Sequence, residues 1–180
     1  MKKSKLMLGS AIMLAVLLVA GGTLAWFTAT ADPVTNEFEA GTLIMSVQEC
    51  FNACDAQNVN PGDCIKKQVR FKNDGTKRMF VRVRLDAVFK DKDGVELDPE
   101  GIISYDIGEG WVLKDGYYYY TEEVESGKLT PKLISEVCFD GENMGNEYQG
   151  SKFTLTVNSQ AIQVTNGAAE DVWKVDPKNL

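Results

Sequence analysis

The sequence contains no histidine. That absence removes the commonest metal ligand and the commonest general base. A Ser-His-Asp arrangement is excluded, and an H-E-x-x-H zinc motif cannot be assembled from these residues. Basic charge is the scarcer sign: 19 Lys and Arg stand against 26 Asp and Glu, a net charge of −7. An acidic surface argues against nucleic acid and against anionic lipid as partners. The pattern shows no internal repeat and no second domain. What is present is ordinary globular material, 44% hydrophobic and 25% charged, in a chain of 180 residues that can bury one proper core.

The N-terminus reads as a targeting signal. "MKKSK" supplies three lysines, and an apolar run follows from Leu6 to Ala20. Counting on through "GGTLAWF", the run nearly reaches the roughly 20 residues of a spanning helix, so an uncleaved anchor is the rival reading. Small residues decide for a cut. Thr23 and Ala25 flank Leu24, and Ala29 and Ala31 flank Thr30. The two sites leave Trp26 or Asp32 at the new terminus. No basic stop-transfer cluster follows. Removing residues 1–25 takes away three lysines and no acid, so the net charge becomes −10. The expected organisation is a signal peptide over 1–25, a mature N-terminal segment over 26–40 and a single domain over 41–180.

Export gives the four cysteines a compartment in which disulfides form. Cys50 and Cys54 lie close together, Cys64 follows ten residues on, and Cys138 is distant. A metal site is the alternative, but a C-x3-C with two scattered partners and no His is a weak zinc pattern. Two disulfides are expected.

Strand signals dominate the rest. In "MFVRVRLDAVF", Val81, Val83, Leu85, Ala87 and Phe89 face one way, while Arg82, Arg84 and Asp86 face the other. "CIKKQVRFKN" sets Ile65, Val69 and Phe71 against Lys66, Gln68, Arg70 and Lys72, and "GTLIMSVQE" alternates in the same manner. Period-2 alternation of this kind means half-buried antiparallel strands. "NPGD", "NDGT", "DKDG", "KDGY" and "FDGE" are turn chemistry between them. One short helix is expected, around Ala168–Trp173, with Trp173 packed on the sheet. The fold class is therefore all-β, a jelly-roll-like antiparallel sandwich behind an N-terminal signal-peptide helix. If residues 41–50 and 64–73 form a hairpin, Cys50 and Cys64 flank its loop from the outward face, and Cys50–Cys64 is the first choice of bridge. Cys138 also points to the polar side by parity.

Other features invite chemistry. "DKDGVELD", Asp91 to Asp98, resembles an acidic calcium loop but lacks its third spaced ligand and distal Glu, so a tight turn is expected. "GYYYY" reads as a strand with two tyrosines in and two out. Asp106, Glu109, Glu122, Glu123 and Glu125 are numerous enough for a carboxylate pair by chance, and no catalytic or metal residue is assigned to them. No cofactor is expected.

The lysine-led signal ends in Gly21, Gly22, Ala25, Trp26 and Phe27. Phe38, Ala40, Gly41, Thr42 and Leu43 then write F-x-A-G-T-L. With "NPGDCIKKQVRFKNDGT", "VRVRL" and "VNSQAIQVTNGAAEDVW" following in order, the chain resembles the exported TasA/camelysin group of Gram-positive bacteria. The resemblance implies cleavage by a SipW-type signal peptidase between Ala25 and Trp26. It implies a β-sandwich secreted to the cell surface or biofilm matrix, and partners that are copies of itself or other matrix proteins. It further implies fibres in which the mature N-terminal segment donates a strand to the next subunit, with Phe27, Val34 and Phe38 as pocket-filling side chains. Membrane contact is then through the uncleaved signal alone. The alternatives are a camelysin-type metallo-endopeptidase and an accessory surface protein that does not polymerise. Without His, the peptidase activity is not carried over.

Overall fold

A computed structural model describes residues 40–51 and 60–180. The expected signal peptide (1–25) and residues 26–39 of the candidate donor segment lie outside the described residues. Two antiparallel sheets stack face to face. The first runs β1 (Met45–Phe51), β2 (Cys64–Asn73), β8 (Ile134–Phe139), β5 (Ile103–Ile107). The second runs β4 (Glu96–Leu97), β3 (Met79–Lys90), β7 (Tyr117–Tyr120), β6 (Trp111–Lys114), and β9 (Lys152–Gln163) covers the other flank of β3.

The alternation in the sequence is the alternation of burial. Ile65, Val69 and Phe71 of β2 point inward, as do Met79, Val81, Val83 and Phe89 of β3. Between the sheets, Phe71 meets Trp111 edge-on at 5.8 Å and Trp111 meets Tyr120 at 5.4 Å. At one end of the sandwich a second cluster gathers Ile65, Phe89, Ile102, Val137, Phe139 and Tyr148. Each such side chain contributes about 1.5–3 kcal/mol by burial. The tyrosine run divides as expected: Tyr118 and Tyr120 join the inter-sheet core, and Tyr117 and Tyr119 the opposite face.

That opposite face carries the helix α1 (Ala168–Trp173). Trp173 packs edge-on to Tyr119 at 6.0 Å. Arg82 lies between them and Tyr117, its guanidinium 4.3 Å from the Tyr117 ring and 4.7 Å from Trp173, within cation–π range. The "DKDG" segment is a turn closed by its own carboxylate: Asp91 Oδ1 accepts from the amides of Asp93 and Val95. No helix among the described residues is long and apolar enough to cross a membrane.

Candidate functional site

Two strands have a free flank on the same side of the sandwich. β9 pairs with β3 through all twelve of its residues, and its other edge meets no strand among the described residues. β1 is the terminal strand of the facing sheet. Its inward positions Met45, Val47, Glu49 and Phe51 sit opposite Asn73, Phe71, Val69 and Lys67, in line with the core. Yet Val47 is 46% and Phe51 44% exposed, with no strand among the described residues covering them. Between the two edges opens a cleft of about 920 Å³. Its lining is mixed, with an aromatic and aliphatic part formed by Phe51, Ile65, Phe89, Phe139, Tyr148 and Phe153 and a polar part that includes Asn60, Asn146, Gln149 and Ser151. Glu49, Lys67 and Lys152 bring charge to it; Lys67 is nearly buried, paired with Glu49 across the β1–β2 ladder and 4.9 Å above the Phe51 ring. A cleft of this kind has hydrophobic floor and free backbone edges, the two things an added strand requires.

The described chain enters this region through a fixed strap. Thr42 N donates to Thr76 Oγ1 at 2.9 Å, and the amides of Thr76 and Lys77 donate to the Thr42 carbonyl. Gly75 is needed here: a Cβ on it would stand 2.5 Å from the Thr42 carbonyl oxygen. Gly41 is pressed against Lys77, whose ammonium reaches Gln163 at the C-terminal end of β9. Asp74 accepts from Lys72 and from Ser46, each at 2.5 Å. The Lys72 ammonium first, and then the Ser46 hydroxyl, hold its carboxyl below the usual carboxylate range. Gly41 and Thr42 and the Asn73–Gly75 turn are thus two halves of one contact. It delivers residue 40 beside the end of the open β9 edge.

The cysteines correct the expectation. Cys64 is bonded to Cys138. The first choice, Cys50–Cys64, fails because β1 registers Cys50 opposite Gln68, well along the strand from Cys64. β2 has a neighbour on each flank, and Cys138 of β8 is the residue directly across from Cys64. Cys50 is exposed and unbonded, and Cys54 lies outside the described residues. Ala25, Trp26, Phe27, Val34 and Phe38 lie outside them as well. Among the described residues one group of three potential metal ligands clusters, Cys64, Glu136 and Cys138, with donor atoms within 4.8 Å of one another. Its two sulfurs are joined to each other, so in this state they cannot serve as thiolate ligands.

The sequence profile of the camelysin metallo-endopeptidases matches residues 1–101. The chain belongs to the camelysin family. No curated protein matches it significantly. The match runs through the strap, β1, β2 and β3. The name of the family implies a metal, and the cluster found among the described residues, Cys64, Glu136 and Cys138, does not fit one while the disulfide is closed. Sequence reasoning missed the cleft, although one signal for it is present. Phe51 continues the inward parity of Met45 and Val47 past Cys50, and that leaves an apolar row on a strand too polar elsewhere to be central.

Proposed function

We propose that this camelysin-family protein is an exported structural component of the cell surface or extracellular matrix. In this reading it is cleaved after Ala25 and assembles by strand addition. Residues 26–38 of one copy enter the cleft between β1 and β9 of the next. The observation that carries the proposal is the cleft itself, where Lys152–Leu155 at the start of β9 border aromatic side chains, and β9 keeps an outer edge that no strand among the described residues pairs. Phe27, Val34 and Phe38 supply side chains for that floor. Pro33 cannot donate a ladder hydrogen bond, so the added strand bends there. The donor leaves its own subunit at Ala40, beside the end of β9, where a neighbouring copy is within its reach.

The test compares the chain beginning at Trp26 with one beginning at Glu39, by sedimentation and electron microscopy. Filaments or oligomers are expected from the first alone. Val47→Glu places a charge on the exposed inner side of β1, and it should suppress assembly while leaving the monomer's circular dichroism unchanged. Equal assembly by the long and short chains ends the proposal.

The second reading is peptidase activity, supported by the family's description. Casein turnover abolished by a chelator would favour it over the structural role.

A further inference from the structure

Cys64 and Cys138 are directly opposed on neighbouring strands, and both side chains leave the outer face of the first sheet. Glu136, two residues before Cys138, projects from the same face and is opposed by Lys66. Two sulfurs and a carboxylate oxygen within 4.8 Å form the donor set of a soft-to-borderline divalent cation such as Zn²⁺. Three protein donors leave a coordination position for water. Cys64 and Glu136 are exposed, so both a reductant and a hydrated cation can reach the group.

The thiolate is the ligand, and the disulfide is not. We propose that metal binding and the Cys64–Cys138 bond are alternative states of one site. The oxidised protein is metal-free, and the reduced protein holds one thiophilic divalent cation through Cys64, Cys138 and Glu136. The exchange balances as follows. A dithiol reductant gives two electrons and two protons to the S–S bond and itself closes to a cyclic disulfide. Cys64 and Cys138 become thiols. One cation then enters, and the two thiol protons leave to solvent. Since an oxidising exterior keeps such bonds closed, the metal of the family's name is excluded from this position once the chain is outside the cell. This inference does not rest on strand addition: either reading of the function survives its failure.

The test uses the chain from Trp26 with Cys50→Ser and Cys54→Ser, which leaves one pair of sulfurs, and Co²⁺ as the probe. Oxidised protein should take up no stoichiometric Co²⁺. After reduction by a dithiol and its removal under argon, one Co²⁺ per chain should bind, with thiolate-to-cobalt charge-transfer absorption. Glu136→Gln should weaken that binding at least tenfold, the loss that even an outer partner of a ligand causes. On the unsubstituted chain, excess Zn²⁺ should slow air reoxidation of the Cys64–Cys138 pair, read by peptide mapping, so the outcome does not depend on the serine variants folding. Equal Co²⁺ uptake by the oxidised form, absence of charge-transfer absorption in the reduced form, an unchanged Glu136→Gln affinity, or reoxidation indifferent to Zn²⁺ each overturns the proposal.

Discussion

Asn73 is fully buried at the end of β2, and its side chain is fully employed. Its amide donates to the carbonyls of Lys77 and Val124, and its Oδ1 accepts from Gly75 N. It thereby holds the turn on which the strap is laid. From the sequence it is one more residue of "NDGT". Its burial was hidden because a polar side chain at an inward parity looks like the end of a strand. The disulfide was half legible for a related reason. Parity gives the face of Cys50, Cys64 and Cys138 correctly, but parity cannot say which strand lies on the second flank of β2. The bond now placed spans 74 residues. In the chain-entropy model, closing a loop of that size is worth roughly 4 kcal/mol. Replacing both Cys64 and Cys138 by Ser should lower the urea unfolding free energy by about that amount and steepen the slope, because the unlinked unfolded chain exposes more surface. A loss below about 1 kcal/mol would show that the two strands constrain the unfolded chain no further than their own pairing does.

At the scale of elements, the long strands were readable because a period of 2 sustained over 65–71 and 79–89 has no helical counterpart. α1 was readable as "AAEDVW" between a turn and the chain's end. β4 was not, since two residues carry no period, and the pairing of β3 with β9 is a long-range fact with no local trace. The C-terminal turn at Pro177–Asn179 was also missed. It is fastened by Glu123, which pairs with both Lys178 and Arg78 and is mostly shielded from solvent. The Lys178 hydrogen bond foremost, aided by the charge of Arg78, holds the Glu123 carboxyl below the usual range against the opposing effect of burial. A depressed folded-state value means that this fastening is complete above the ordinary carboxylate range and is lost as pH falls through the folded value. Glu123→Gln should therefore destabilise the protein at neutral pH. The difference from the parent should shrink as pH is lowered from about 6 towards 3, followed by urea titration at each pH. A gap that stays constant would assign Glu123 a packing role alone.

For the molecule as a whole, charge and shape act in opposite directions on self-association. The portion after residue 25 carries a net charge of −10, so copies repel at long range. The apolar part of the cleft that would join them works only at contact. Raising NaCl from about 0.01 M to 0.5 M shrinks the screening length from roughly 30 Å to below 10 Å. Assembly of the chain from Trp26, followed by light scattering, should accelerate severalfold over that range. Slower assembly in salt would mean that ion pairs hold the copies together and that strand insertion does not. The β3–β9 ladder has a consequence of another kind, for the order of events in synthesis and export. Residues 79–90 pair at two positions each with β4 and β7, but along their whole length only with residues 152–163, and β2 finds β8 only at 134–138. A chain emerging from its N-terminus therefore leaves the long flank of β3 uncovered until nearly its last segment has emerged. Under the proposed export, the strand order itself delays completion of the fold until nearly the whole chain is through the translocation channel.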